Sequence, residues 1–95
     1  MKLQFRSAAS ADMRRIARET RERWDGEQAA KYADQLRRDI KSLTRFALRF
    51  PEFPLRPGLR RMNSGKHAIF YRVGEDRIEI VRVLHAASDF EEWLG

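Results

Sequence analysis

The feature that most constrains this chain is a long apolar stripe that breaks on a run of prolines. Ala29, Ala33, Leu36, Ile40, Leu43, Ala47 and Phe50 recur at helical spacing, and Tyr32 and Phe46 widen the stripe. Pro51, Pro54 and Pro57 follow, so the helix has to stop, and an extended crossing loop is expected there. Past the prolines the period changes. Leu59 to Met62 predicts a short strand, and Asn63-Ser64-Gly65 a turn. His67 to Val73 predicts a strand with Ile69, Tyr71 and Val73 on one face and Ala68, Phe70 and Arg72 on the other. Gly74-Glu75-Asp76 predicts a second turn, and Arg77 to Leu84 the last and most apolar strand. Consecutive hairpins of this kind make an antiparallel meander.

Upstream, Lys2 to Arg6 alternates and reads as a strand. Ser7 or Ser10 can cap the helix that follows, and Asp12 puts a negative charge in its first turn. Met13, Ile16, Ala17, Thr20 and Trp24 mark its apolar side, with five arginines on the flanks and Gly26 at its end. Small side chains at Ala29, Ala30 and Ala33 suit close approach of the two helices. Ser88, with Glu91 three residues on, can open a short C-terminal helix carrying Phe90, Trp93 and Leu94. The expectation is a single α+β domain over residues 1–95. It has two layers in the order β-α-α-β-β-β, an antiparallel sheet packed on a helical hairpin.

Charge narrows the function classes. Twenty Lys+Arg against fourteen Asp+Glu give a formal +6, and only four of the cations are Lys. An Arg-rich surface suits phosphates, carboxylates and protein partners. The absence of Cys removes disulfides and thiolate metal sites and fits a reducing compartment. The start of the chain is too short and polar for a signal-peptide core, and no window is apolar enough for a membrane span. A soluble, cytoplasmic protein without cofactor or metal is expected.

No strong catalytic motif is present. His85 closes the last strand ahead of Asp89, and is either an acid–base group or a strand terminator held by Asp89 or a carbonyl. His67 reads as structural or solvated. Arg60, Arg61, Arg72, Arg77 and Arg82 form a second set. Arg72 and Arg82 lie inside apolar strands, so each must reach an edge, pair with a carboxylate such as Glu79 or Asp89, or face a groove. Phe90 and Trp93 either dock on their own sheet or anchor a partner.

The stretch Gly58-Leu59-Arg60-Arg61-Met62-Asn63-Ser64-Gly65-Lys66-His67-Ala68-Ile69-Phe70-Tyr71-Arg72-Val73 resembles the hairpin of ParE-family toxins. Ile78-Glu79-Ile80-Val81-Arg82-Val83-Leu84-His85 with Asp89, and the junction Arg23-Trp24-Asp25-Gly26-Glu27-Gln28-Ala29, resemble the same family. The resemblance implies the RelE/ParE fold and the toxin half of a type II toxin–antitoxin pair. It implies a ParD-type antitoxin partner, and inhibition of DNA gyrase without catalysis. Antitoxin or target contacts would then fall on Arg60, Arg61, Arg72, Arg82, His85, Asp89, Phe90 and Trp93. RelE-type relatives cut messenger RNA on the ribosome. In that reading His85 is the acid or base and Arg60, Arg61 and Arg82 steady phosphate charge, although no Tyr follows Tyr71 as it does in those ribonucleases. A non-toxic binding module is the third reading.

Overall fold

The computed structural model describes residues 1–94. Asp25 has extended backbone and its carboxylate accepts the Gln28 N–H at 2.8 Å, which caps helix α2 (Gly26–Phe46). Gly26 therefore opens α2, and α1 (Ser7–Arg23) ends earlier, with Trp24 as its C-cap. Leu36, Ile40 and Leu43 are fully buried, as their spacing requires. The helix stops at Phe46, short of the expected Phe50. The Ala47 carbonyl then takes the Tyr71 hydroxyl at 2.7 Å, a bond that continued helix would not leave free. Phe46, expected to widen the stripe, is half exposed.

The proline segment is not extended. Hydrogen bonds from Phe53 N to Leu59 O (2.6 Å), Arg56 N to Phe53 O and Leu59 N to Arg56 O fold it into turns, and Glu52 bridges Arg60. The segment lies along the first half of an edge strand and shields it.

Strands β1 (Lys2–Phe5), β2 (Arg60–Ser64), β3 (His67–Val73) and β4 (Arg77–His85) form one sheet in the order β1-β4-β3-β2. Asn63 and Ser64, expected in the turn, belong to β2, and Ser64 pairs with His67 across the two-residue connection Gly65-Lys66. Gly65 has φ +56°, and a Cβ there would meet the Tyr32 ring at 2.6 Å, so position 65 requires glycine twice over. The β2–β3–β4 meander is antiparallel as expected. The sheet as a whole is mixed, because β1 runs parallel to β4, Lys2 beside Arg77 through Phe5 beside Ile80. The hairpins fix only the directions of β2 to β4. β1 takes the free edge of β4 in the sense that lets α1, one residue later, fold back over the sheet.

A bulge at Val81 resets the alternation in β4. Tyr71 pairs with Ile80 while Phe70 pairs with Arg82, leaving Val81 extra. Ile78 and Ile80 face the helices before the bulge and Val83 after it, so both β4 faces carry apolar residues in turn. The helix-facing core joins Ile16, Leu36, Ile40 and Leu43 to Ile69, Tyr71, Ile78, Ile80 and Val83. The opposite face carries a smaller cluster, Leu59, Ala68, Phe70 and Leu84, covered by Phe53 and by Phe90 and Leu94 of helix α3 (Phe90–Leu94). Asp89 rather than Ser88 supplies the α3 cap, accepting Glu92 N–H at 3.5 Å.

α1 departs from its expected face. Its N-cap is Arg6 with no side-chain bond, so neither Ser7 nor Ser10 caps it, and its buried residues are Ala9, Asp12 and Ile16. Asp12 lies beyond the first turn and points inward. Its reason is the end of β1. The last bond between the β1 end and β4 is Arg6 N to Ile80 O (2.9 Å), beyond which β4 has an open edge. The Asp12 carboxylate extends the ladder by accepting Val83 N–H at 2.9 Å.

Candidate functional site

Three surfaces carry functional side chains. The first is a groove between α1 and α2. Because Asp12 turns α1 inward, Met13, Ala17 and Thr20 of the expected apolar side are left lining this groove, with Phe5, Ala33 and Leu36 beside them. It is a cavity of about 410 Å³, and Arg14 and Arg37 stand on its rim. Of the small residues expected to close the helices together, only Ala29 is buried; Ala30 is exposed and Ala33 half-buried. The small side chains therefore leave the seam open at Ala33.

The second surface is the sheet face away from the helical hairpin. Arg61 lies over the Phe90 ring at 4.7 Å, and Phe90 stands edge-on to Phe70 (5.0 Å) and Phe53 (6.0 Å). Arg72 reaches the Pro57 carbonyl at 3.4 Å. Its expected partner Glu79 is held instead by Arg6 at 2.7 Å. Arg82 is the deepest of the set. Its Nε and Nη2 donate to both Asp12 carboxylate oxygens (2.7 and 2.8 Å), and Nη1 donates to the Trp93 carbonyl at 2.9 Å. Hydrogen bonding to Asp12 raises the guanidinium above its ordinary value. The expected partners Glu79 and Asp89 are thus replaced by Asp12, a residue 70 positions away in sequence. Arg82 also sits under the Trp93 ring at 5.5 Å, and Trp93 stays half exposed. Phe90 docks on the sheet while Trp93 presents its ring outward.

The third surface is a small cleft of about 100 Å³ where the hairpin tip meets the β2–β3 turn, lined by Arg23, Trp24, Tyr32, Lys66, His67 and His85 among others. His67 is buried, as a structural histidine would be. Burial, then the charges of His85 and Arg15, push it down to about 4 against a smaller opposing pull from Glu19. His85 is exposed, and its Nδ1 accepts Ala87 N–H at 3.1 Å, so the strand end is held by a backbone amide and not by Asp89.

The candidate ribonuclease set does not converge. Arg60 pairs with Tyr71 and Arg61 with Phe70, on opposite faces, and Arg60 Nη1 is spent on the Phe50 carbonyl. His85 pairs with His67, four residues along β3 from Tyr71, which is roughly 13 Å at strand rise.

Residues 3–90 match the family described as "ParE toxin of type II toxin-antitoxin system, parDE". The chain belongs to the ParE toxin family. Toxin ParE1 of Caulobacter vibrioides is 42% identical over 88 residues, 92% of this chain and 91% of that protein. Toxin ParE1 of Mycobacterium tuberculosis is 38% identical over 91 residues, with the same coverage. A chain from the structure titled "Chromosomal ParDE TA system from P. aeruginosa" shares the fold at TM-score 0.79 and 24% identity, covering 90% of this chain and 95% of that one.

In this ParE-family chain, Asp12 and Tyr32 carry structural bonds that lie outside the expected site. Asp12 falls at helical spacing with Ala9 and Ile16, inside a stripe that otherwise buries, and Arg82 needed a partner. Those two facts together point to the pair. Tyr32 widens the apolar stripe of α2, and its hydroxyl also accepts Lys66 N–H at 3.0 Å and meets His67 Nδ1 at 2.5 Å.

Proposed function

We propose that this ParE-family chain inhibits DNA gyrase by stoichiometric binding, and that a ParD-type antitoxin neutralises it by laying an amphipathic helix in the α1–α2 groove. The groove is the observation that carries the antitoxin half. It is apolar along Met13, Ala17, Ala33 and Leu36, and cationic at Arg14 and Arg37. That is the complement of a helix with an apolar stripe flanked by carboxylates. An antitoxin segment that orders on contact can wrap such a groove, with part of the contact energy offset by the entropy of ordering. The gyrase half is supported by family membership and by the dispersal of Arg60, Arg61, Arg82 and His85, which favours gripping over cutting. The expected site residues divide accordingly. Asp89 and Trp93, which are exposed, and Arg61 and Phe90, which are half-buried beside them, make the polar and aromatic face for the target. Arg60, Arg72 and Arg82 hold the loop and the C-terminal helix in place to present it. The protein acts in the cytoplasm, where gyrase and a ParD-type antitoxin are found.

Ala33→Arg tests the groove. The site is half-buried on a helix, so the longer side chain fills the groove without entering the core. Affinity for the adjacently encoded ParD-type antitoxin should fall by about a hundredfold, near 2.7 kcal/mol, with unfolding by urea almost unchanged. Co-expression should then no longer rescue growth. Wild-type affinity in this variant would place the antitoxin elsewhere.

A further inference from the structure

We propose that the cleft between the helical hairpin tip and the β2–β3 turn is an oxyanion site, built to receive a phosphate group. Hydrogen placement on the two imidazoles decides what the cleft can bind. Tyr32 has one hydroxyl proton, and its oxygen already accepts Lys66 N–H at 3.0 Å. We assign that proton to the shorter contact, His67 Nδ1 at 2.5 Å, over the Ser64 carbonyl at 3.5 Å. His67 Nδ1 is thereby an acceptor, and the ring proton of this imidazole sits on Nε2. The same logic holds for His85, whose Nδ1 accepts Ala87 N–H at 3.1 Å.

Both rings line the cleft and meet edge-on, with centroids 5.7 Å apart. His67 Nε2 bonds no protein atom, yet among the described residues no buried side-chain nitrogen or oxygen lacks a partner. That nitrogen therefore opens to solvent in the cleft. Two N–H groups, the Lys66 ammonium and the Arg23 guanidinium line one space, with Lys66 Nζ 5.9 Å from the Trp24 ring centroid. Among the described lining residues Glu19 is the one carboxylate, and Arg15 engages it at 3.8 Å.

Two N–H donors and two cations around one small space suit an anion rich in acceptor oxygens, such as a phosphate group. The hydrogen placement argues against a metal, which would need bare nitrogen on both rings. At about 100 Å³ the cleft is well below the roughly 300 Å³ at which small-molecule pockets begin. It admits a group rather than a whole molecule, so a nucleotide would insert its phosphate and leave its base outside.

The test follows the ring ¹⁵N signals of both histidines at neutral pH and constant ionic strength. Inorganic phosphate should move both Nε2 signals saturably, and chloride and acetate should not. Lys66 and His85 are exposed, so Lys66→Ala and His85→Gln stay folded. Each should weaken phosphate binding roughly tenfold, as expected for one charged or polar contact. Tighter binding of a nucleoside 5′-monophosphate than of phosphate assigns a nucleotide as the source, and equal binding assigns the free ion. The proposal fails if phosphate gives no saturable shift, if acetate or chloride reproduces it, or if Lys66→Ala leaves binding unchanged.

Discussion

Asp12→Ala should destabilise the protein by about 3 to 5 kcal/mol, the usual cost of removing one partner of a buried ion pair. The Asp12 side chain is 1% exposed and accepts from Arg82 Nε, Arg82 Nη2, Arg15 Nη1 and Val83 N–H. Its loss strands the Arg82 guanidinium, 16% exposed, inside the protein and leaves a strand amide without an acceptor. Because Arg82 also holds the Trp93 carbonyl, α3 should loosen before the rest unfolds. Asp12→Asn keeps an acceptor for Val83 and should cost less. Combining Asp12→Ala with Arg82→Leu should recover part of the loss, because the deeper guanidinium is then gone and Arg15 keeps Glu19. Urea titrations of the four proteins check this. A change below about 1 kcal/mol for Asp12→Ala would mean that the pair contributes little to folding.

Acid should weaken the fold through His67. Its folded value of about 4 lies below the ordinary 6.5, so the unfolded chain binds more protons between those limits. Stability should be level above pH 6.5, fall as pH drops through that window, and level off below about 4. The full displacement corresponds to at most roughly 3 kcal/mol. Protonation would also put hydrogen on Nδ1 and oppose the Tyr32 hydroxyl, the contact that ties α2 to the β2–β3 turn. The plot of unfolding free energy against pH should therefore be flatter in His67→Gln than in the wild type over this range. Parallel curves would contradict the assignment.

What was legible in the sequence was whatever depends on near neighbours. The α2 stripe, the span of β3 and the turn at Gly74 follow from period and turn chemistry, and the two faces of β3 bury as their alternation requires. What escaped depends on distant partners. Nothing local tells that β1 joins β4 in parallel. A bulge at Val81 leaves no mark in a strand apolar on both sides of it. Asp12 near a helix start looks like a dipole partner until the open β4 edge it fills is known. The site showed the same division. Arg61, Phe90 and Trp93 were recognisable by type, and Arg61 lies over Phe90 while Trp93 lies over Arg82. Arg60, Arg72 and Arg82 were equally visible as arginines, yet they brace carbonyls and a carboxylate.

The central proposal is that this ParE-family chain is a gripping surface. Purified protein titrated into a gyrase supercoiling reaction checks that most directly. Inhibition should saturate near one toxin per gyrase subunit and vanish when a ParD-type antitoxin is added first. Undiminished supercoiling at large toxin excess, together with cleavage of translated messenger RNA that is lost in His85→Ala, would contradict it.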